Sequence, residues 1–313
     1  MSKWDYKGVL PAMQVPFRQD YSIDEPELRR FTGWIAGIKG ITGLVTNGHT
    51  GEVFALDAEE RAAVTRIVAD EAKGRMPVVS GICVEGIGEA REHAVMAKEA
   101  GASGLLVMPP HQWLRFGMKP EHVIEHFSEI GKASDLDLVV HIYPSWTRAA
   151  YSSELLAELA RLPWVKAFKI GTRDMNKYAV DIRSVREAAP EKAVITCHDE
   201  YLLASMVQGV DGALVGFASF IPQKIVALHE AVKAGDLKRA MQIQFEINPL
   251  KDVVYGVGEP TGEAHARMKY AMWLAGIIKS PLVRRPTRVP EGAVAKGIEE
   301  AVRRAGMLAK EAA

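Results

Sequence analysis

The feature that most constrains this chain is an alternation. Apolar runs of strand length occur at 8–15, 41–46, 77–82, 104–109, 137–143, 165–170, 193–197 and 212–217, and segments of helical period fill the gaps between them. Eight such pairs, at about 30 residues per unit, predict an α/β chain folded as a (β/α)8 barrel. A doubly wound open sheet is the alternative. That fold usually carries a Gly-rich phosphate loop after its first strand, and the stretch GVLPAMQVPF at 8–17 has none.

Local signals support the helices. Asp24, Glu25, Pro26 and Glu27 read as a capping box with Pro just inside the helix, followed by Leu28, Phe31, Trp34, Ile35 and Ile38 on one face. Asp57 to Glu60 repeats the device ahead of Ala63, Val64, Ile67 and Val68, and Gly74 ends that helix. A G-x-x-G turn recurs at Gly40–Gly43, Gly101–Gly104 and Gly209–Gly212, each time just before an apolar run. Beyond the eighth strand, 222–235, 237–250, 261–278 and 290–311 look helical. The expected organisation is therefore a barrel carrying the catalytic site over 1–235 and a helical extension packed on it over 236–313.

Composition closes off other classes. With 39 Lys+Arg against 39 Asp+Glu, the chain has no excess charge to hold a nucleic acid by bulk phosphate attraction. Two cysteines among 313 residues cannot form a disulfide scaffold, which favours a reduced compartment. The start, MSKWDYKGVL, lacks a signal-peptide core, and no run approaches the ~18 apolar residues of a membrane span. The expectation is a cytoplasmic protein with no nucleic-acid or membrane partner.

A barrel places its chemistry at the C-terminal ends of its strands. Read end by end, the second strand runs into Thr46–Glu52, the fourth into Pro109, Pro110 and His111, the fifth into His141 and Tyr143, the sixth into Lys169–Thr172, and the seventh into His198 and Asp199. Four of the nine histidines fall on this rim. Val165, Ala167 and Lys169 share one face of a strand by alternation, and the first two mark that face as interior. A lysine ending such a face is desolvated, keeps some neutral amine, and can form a Schiff base with a carbonyl compound. The competing reading is a lysine that snorkels or pairs with a carboxylate. Lys166, on the other face, is a poor nucleophile candidate. Gly48, His49, Thr50 and Gly51 offer backbone N–H groups and a hydroxyl suited to a carboxylate. His141 and Tyr143 share a strand face and could both move protons. Trp113, Phe116, Trp146 and Phe217 could form an apolar pocket, or could simply pack in the core.

These segments together resemble the pyruvate-dependent class I aldolases, the family that includes dihydrodipicolinate synthase, N-acetylneuraminate lyase and the 2-keto-3-deoxy sugar-acid aldolases and dehydratases. The resemblance spans about residues 7–285. It rests on Gly8–Phe17, Gly48–Glu52, Leu105–Pro110 and Val165–Asp174 in their order and spacing. It implies that Lys169 is the Schiff-base lysine, that Gly48, His49, Thr50 and Gly51 bind a keto-acid carboxylate, and that Val215 borders the substrate. It also implies a small-molecule 2-keto acid as partner, no cofactor or metal, and a homotetramer built as a dimer of dimers.

The departures from the family pattern bear on substrate. The usual catalytic tyrosine falls on His141, with Tyr143 two residues on. The first Thr of the family's Gly-Thr-Thr-Gly-Glu is His49, and the second tyrosine falls on His111. The arginine that binds a distal carboxylate falls on Trp146, with Arg148 nearby. This argues against dihydrodipicolinate synthase proper, and Cys197–Glu200 leans towards the sugar-acid dehydratases. Three functions stay open: a Schiff-base lyase on a 2-keto acid, a metal-dependent aldolase or hydratase in which His49, His111 and His141 bind a divalent ion, and a non-catalytic keto-acid sensor.

Overall fold

The computed structural model describes residues 4–144, 147–256 and 261–309. Eight strands, β1 (Gly8–Pro11), β2 (Leu44–Thr46), β3 (Val78–Ile82), β4 (Gly104–Val107), β5 (Asp137–Ile142), β6 (Val165–Ile170), β7 (Ala193–Thr196) and β8 (Gly212–Val215), form one parallel sheet. β1 pairs with β8, and the bridges Val9–Ile41 and Ala12–Val45 close the ring against β2. The helices are α1 (Glu25–Ala36), α2 (Ala58–Ala72), α3 (Ile87–Glu99), α4 (His111–Phe116), α5 (Pro120–Ser134), α6 (Ser153–Ala160), α7 (Met175–Ala188), α8 (Leu202–Met206), α9 (Pro222–Lys233), α10 (Leu237–Val254), α11 (Ala264–Leu274) and α12 (Gly292–Arg304). The chain is a (β/α)8 barrel with further helices after it.

The strands are short because the ring is held only where both neighbours can pair. Residues 13–15 stay buried although pairing has ended at the Ala12–Val45 bridge. Inside the ring, Leu10, Val45, Val79, Leu106, Val139, Ala167, Ala193, Ile195 and Leu214 pack on one another. Each large aliphatic side chain so buried contributes about 1.5–3 kcal/mol. Tyr6 plugs the N-terminal end of this cluster, its hydroxyl donating to Asp137 at 3.2 Å. Outside the ring, residues of α1, α2 and α9 share one apolar cluster with α10, α11 and α12.

The caps follow the sequence with one difference. Asp57 and Glu60 form the full reciprocal box at the start of α2. Asp24 caps α1 by accepting from the Glu27 N–H at 3.3 Å, but the Glu27 carboxylate turns instead to Arg30 and to the Lys279 N–H. Gly40, Gly101 and Gly209 all adopt positive φ, as the recurring turn requires. At Gly40 a Cβ would lie 2.4 Å from Val226 Cγ1, so close packing as well as φ selects glycine.

One alternation does not survive. β5 and β6 slip between Leu138 and Val139: Leu138 pairs with Val165, and Val139 with Ala167. Lys166 is the extra residue of this bulge. Val165 consequently packs in the outer layer with Phe168 and Ile170, whereas Ala167 is in the barrel interior. The interior face of β6 is Ala167 and Lys169, not Val165, Ala167 and Lys169. Lys166 lies at the base, its amine donating to the Pro163 carbonyl at 2.9 Å. Among the described residues no helix is long and apolar enough to cross a membrane.

Candidate active site

The C-terminal mouth of the barrel holds a cavity of about 710 Å3. His49, Thr50, His111, His141, Tyr143 and Lys169 all border it. The register beyond the bulge is regular, so His141 sits directly opposite Lys169 on the neighbouring strand. The two side chains therefore enter the cavity at the same depth. Lys169 is half-buried at the base of the cavity, and desolvation lowers its pKa below the ordinary lysine value, with Arg173 adding to the effect and Cys197, Asp199 and Glu200 opposing it. His141 is held well below the usual histidine pKa, first by burial and then by the Lys169 charge. It is a neutral imidazole at pH 7.

Tyr143, one pair further out, turns to two histidines. Its hydroxyl lies 3.1 Å from His49 Nε2 and 3.5 Å from His111 Nε2. Burial raises its pKa well above the usual phenol value, so it stays protonated. His49 is pushed down to about 3 by burial, with the Lys169 and His111 charges next in effect. The ring of His49 stands 5.6 Å from that of His141 and stacks on Phe54 at 5.0 Å.

The loop that carries His49 is built by close approaches. Asn47 takes a φ of 54°, which Asn tolerates, and its amide donates to the Arg61 carbonyl, Thr65 and Ser80. Its carbonyl lies where a Cβ on Gly81 would be 2.0 Å away, so only glycine fits there. Gly48 O then accepts from the Gly51 N–H at 3.0 Å and from Val53. The Gly51 N–H is thus committed inside the turn and is not available to a carboxylate, contrary to the expectation from sequence. The N–H groups of His49 and Thr50 donate to no described residue. Glu52 closes the loop from below, paired with the buried Lys269 of α11.

Further expectations from the sequence are corrected here in the same physical terms. His198, which the sequence places on the rim, does not face the cavity. Ala193 and Ile195 face the interior and Cys197 borders the cavity, so His198 falls one residue out of phase and packs against Tyr178, ring to ring at 5.5 Å. Trp113 is buried against His126, Phe217 is buried beside Phe220 and Tyr255, and Phe116 is 73% exposed, so none of these aromatics borders the main cavity. Trp146 lies outside the described residues. Arg148 donates to the Arg115 carbonyl at 3.3 Å, away from the cavity. Val215 borders the cavity, but its side chain packs in the outer cluster.

Three residues of the site carry roles that the sequence does not announce. Asp199, which the sequence marks only as a strand end, is a buried carboxylate that accepts from the Gly216 N–H at 2.9 Å, the Phe217 N–H at 2.8 Å and the Tyr255 hydroxyl at 2.8 Å. Burial raises its pKa to about 6 against these bonds. Tyr255, from the end of α10, reaches the floor of the cavity beside Gly216. Arg173 brings a cation to the wall and is held by Glu200 at 2.6 Å.

Residues 5–304 match the model of the dihydrodipicolinate synthetase family. The chain belongs to that family. It is 32% identical to a 4-hydroxy-tetrahydrodipicolinate synthase of Haloarcula marismortui over 91% of this chain and 90% of that one. It is 27% identical to an N-acetylneuraminate lyase of Escherichia coli over 90% of each. The fold superposes on dihydrodipicolinate synthase from Aquifex aeolicus with a TM-score of 0.87 at 22% identity, covering 98% of this chain and 100% of the other. Members of the family are class I, Schiff-base, aldolase-type lyases that act on small keto acids, and this protein is an enzyme of that type.

Proposed function

We propose that the protein is a lyase for an extended 2-keto acid, working through an imine on Lys169. The observation that carries this reading is the cross-strand pairing of Lys169 with His141 on the cavity floor. The neutral Lys169 amine adds to the keto carbon, and loss of water gives an iminium ion that acts as the electron sink. For C–O cleavage the iminium first loses a C3 proton, and the resulting enamine expels the C4 hydroxyl, with a proton, as water to leave a conjugated iminium that water hydrolyses. For C–C cleavage the C4 hydroxyl gives up its proton, an aldehyde leaves and the C3–C4 electrons form an enamine. Protonation of the enamine and hydrolysis of the imine then release a keto acid and restore the amine. His49, with the N–H of His49 or Thr50 and the Thr50 hydroxyl, is assigned to the substrate carboxylate. His141 and Tyr143 are assigned to proton movement, and His111 to the substrate side of Tyr143.

The size of the cavity supports a substrate longer than pyruvate, since about 710 Å3 lies in the range of drug-sized ligands. Its lining includes Arg173, Glu200, Thr147 and His265, which favours a hydroxylated or otherwise polar tail. Similarity to 4-hydroxy-tetrahydrodipicolinate synthases favours that activity as a second reading. Against it stands Arg148, whose guanidinium is turned away from the cavity. Assembly as a homotetramer in the cytoplasm belongs to the same reading.

The test is borohydride trapping with a panel of 2-keto acids, read by intact mass and peptide mapping. One ligand mass should appear on the peptide containing Lys169 and disappear in Lys169→Arg, because a guanidinium is not a nucleophile at accessible pH. An adduct on Lys166, or none with any keto acid, would overturn the mechanism.

A further inference from the structure

The ends of β2, β3 and β4 are neighbours in the barrel, and they bring together three groups that the lysine chemistry does not require as a set. His49 follows β2, Cys83 follows β3 and His111 opens α4. One ligand atom from each, two imidazole nitrogens and the Cys83 sulfur, all lie within 4.8 Å of one another. Cys83 Sγ is 3.9 Å from His111 Nε2, and the Tyr143 oxygen is 3.5 Å from that same nitrogen and 3.1 Å from His49 Nε2. Around a tetrahedral zinc ion, with Zn–N near 2.0–2.1 Å and Zn–S near 2.3 Å, such donors stand roughly 3.3–3.7 Å apart. The Cys83–His111 pair is thus almost in place, and the widest gap needs to close by about 1 Å, within reach of side-chain rotation.

A second observation points the same way. The Glu85 carboxylate accepts the N–H of His111 at 3.0 Å and of Gln112 at 2.8 Å, and its oxygen lies 3.5 Å from His111 Nδ1. It pins the start of α4 and faces one imidazole nitrogen, leaving the other aimed at Cys83 and Tyr143. A carboxylate behind the ring is the usual outer partner of a metal-binding histidine. The set differs from the three histidines that the sequence suggests, because His141 is not part of it. Among the described residues it is a mixed nitrogen and sulfur site, and such donors select soft or borderline ions over magnesium or calcium.

We propose that His49, Cys83 and His111 bind one divalent cation of the zinc type at the cavity mouth, with the Tyr143 oxygen as the nearest fourth ligand, and that occupancy shuts down chemistry at Lys169. The inhibitory half rests on the proposed lyase reading, since the ion takes His49 and Tyr143 out of it. The binding half does not.

The experiment strips the full-length protein with chelator and titrates zinc against a chromophoric competitor. One equivalent per chain should bind. Cys83→Ser should weaken binding at least ~10-fold, as should His111→Gln, and Glu85→Gln should weaken it by about 10-fold or more. Cobalt should give a thiolate-to-metal charge-transfer band that Cys83→Ser abolishes. Cys83→Ser should still trap pyruvate on Lys169 in metal-free buffer. In the unsubstituted protein one equivalent of zinc should suppress trapping, and chelator should restore it. Unchanged affinity in both Cys83→Ser and His111→Gln, or no stoichiometric binding, overturns the site. Stoichiometric binding with undiminished trapping overturns the inhibition. If no keto acid traps in the metal-free protein, the lyase reading and the inhibitory half fail, and the titration still decides the site.

Discussion

Removing the charge of Lys269 tests whether the C-terminal helices hold the substrate loop in place. Lys269 is 0% and Glu52 2% exposed, and the amine donates to Glu52 Oε1 at 2.5 Å and to the Leu282 carbonyl at 2.8 Å. The second Glu52 oxygen accepts the Arg284 N–H at 3.0 Å, and the Lys269 amine lies 4.3 Å from the centre of the Phe17 ring. At an effective dielectric constant near 20 the attraction between the two charges is about 7 kcal/mol. Desolvation of two ions, at several kcal/mol each, cancels most of that. The net worth of the pair is therefore small, but leaving one charge alone is costly. Lys269→Met keeps the packing, strands the Glu52 carboxylate and should cost about 3–5 kcal/mol. Glu52→Gln combined with Lys269→Met leaves no buried charge and keeps an acceptor for Arg284, so its cost should fall to about 1–2 kcal/mol. Urea unfolding at pH 7, followed by far-ultraviolet circular dichroism, compares the two. Glu52 has a φ of 56° and follows Gly51 directly, so the folded fraction of Lys269→Met should also trap keto acid less well. A single variant losing under ~1 kcal/mol, or a double variant at least as unstable as the single one, would refute the argument.

The cavity floor supplies two more tests. In the proposed mechanism Lys169 must be neutral to attack, and its pKa is depressed, so trapping should accelerate as pH rises through a value below the ordinary 10.5 and then level off; a midpoint at or above 10.5 in a pH series of initial rates contradicts the desolvation. At Gly216 a Cβ would lie 2.6 Å from the Tyr255 hydroxyl and 2.9 Å from Met268 Cε. Gly216→Ala should push Tyr255 off Asp199 and cost about 1–3 kcal/mol through the clash and the lost partner, and a thermal unfolding curve matching that of the unsubstituted protein would show the approach to be looser than this.

The barrel is legible in the sequence because a strand buried on both faces must be apolar throughout, and eight such runs stand out between helical segments. The runs overshoot the ladders, as at Met13–Val15, because burial continues where strand pairing stops. Lys169 is legible as a cation ending an apolar strand. The Lys166 bulge is not, since nothing in VKAFKI distinguishes a regular strand from one that skips a residue. The outward turn of His198 can be read from Ala193, Ile195 and Cys197, whose alternation excludes it from the cavity. Tyr255 and the Glu52–Lys269 pair are not legible. They join the barrel to helices more than 200 residues away in sequence for the ion pair, and no local period encodes that distance.

Whether His141 or Tyr143 moves the proton is better put as a division between them, and the division is testable. From spacing alone the two compete, because both project from one face of β5 and a bulge at Ile142 would exchange their places. There is no bulge at Ile142: His141 pairs with Lys169 and Ile142 with Ile170. His141 therefore lies at the depth of Lys169, where the proposed imine would form, and its neutral ring can accept a proton. Its depressed pKa means that a histidine-like acid limb, if it controls trapping, lies below pH 6.5 and not at it. Tyr143 stays protonated and is within reach of His49 and His111, so it can donate and be resupplied through them. In the proposed reaction His141→Phe should slow imine formation itself, by roughly the 10²–10⁴-fold of a lost acid–base group. Tyr143→Phe should leave trapping within about tenfold and slow complete turnover by a similar 10²–10⁴-fold, since the later protonation needs a donor. Single-turnover trapping and steady-state rates on the same substrate separate the two steps. Equal losses of trapping in both variants would show that the residues act as one unit, and fast trapping by His141→Phe would return the whole role to Tyr143.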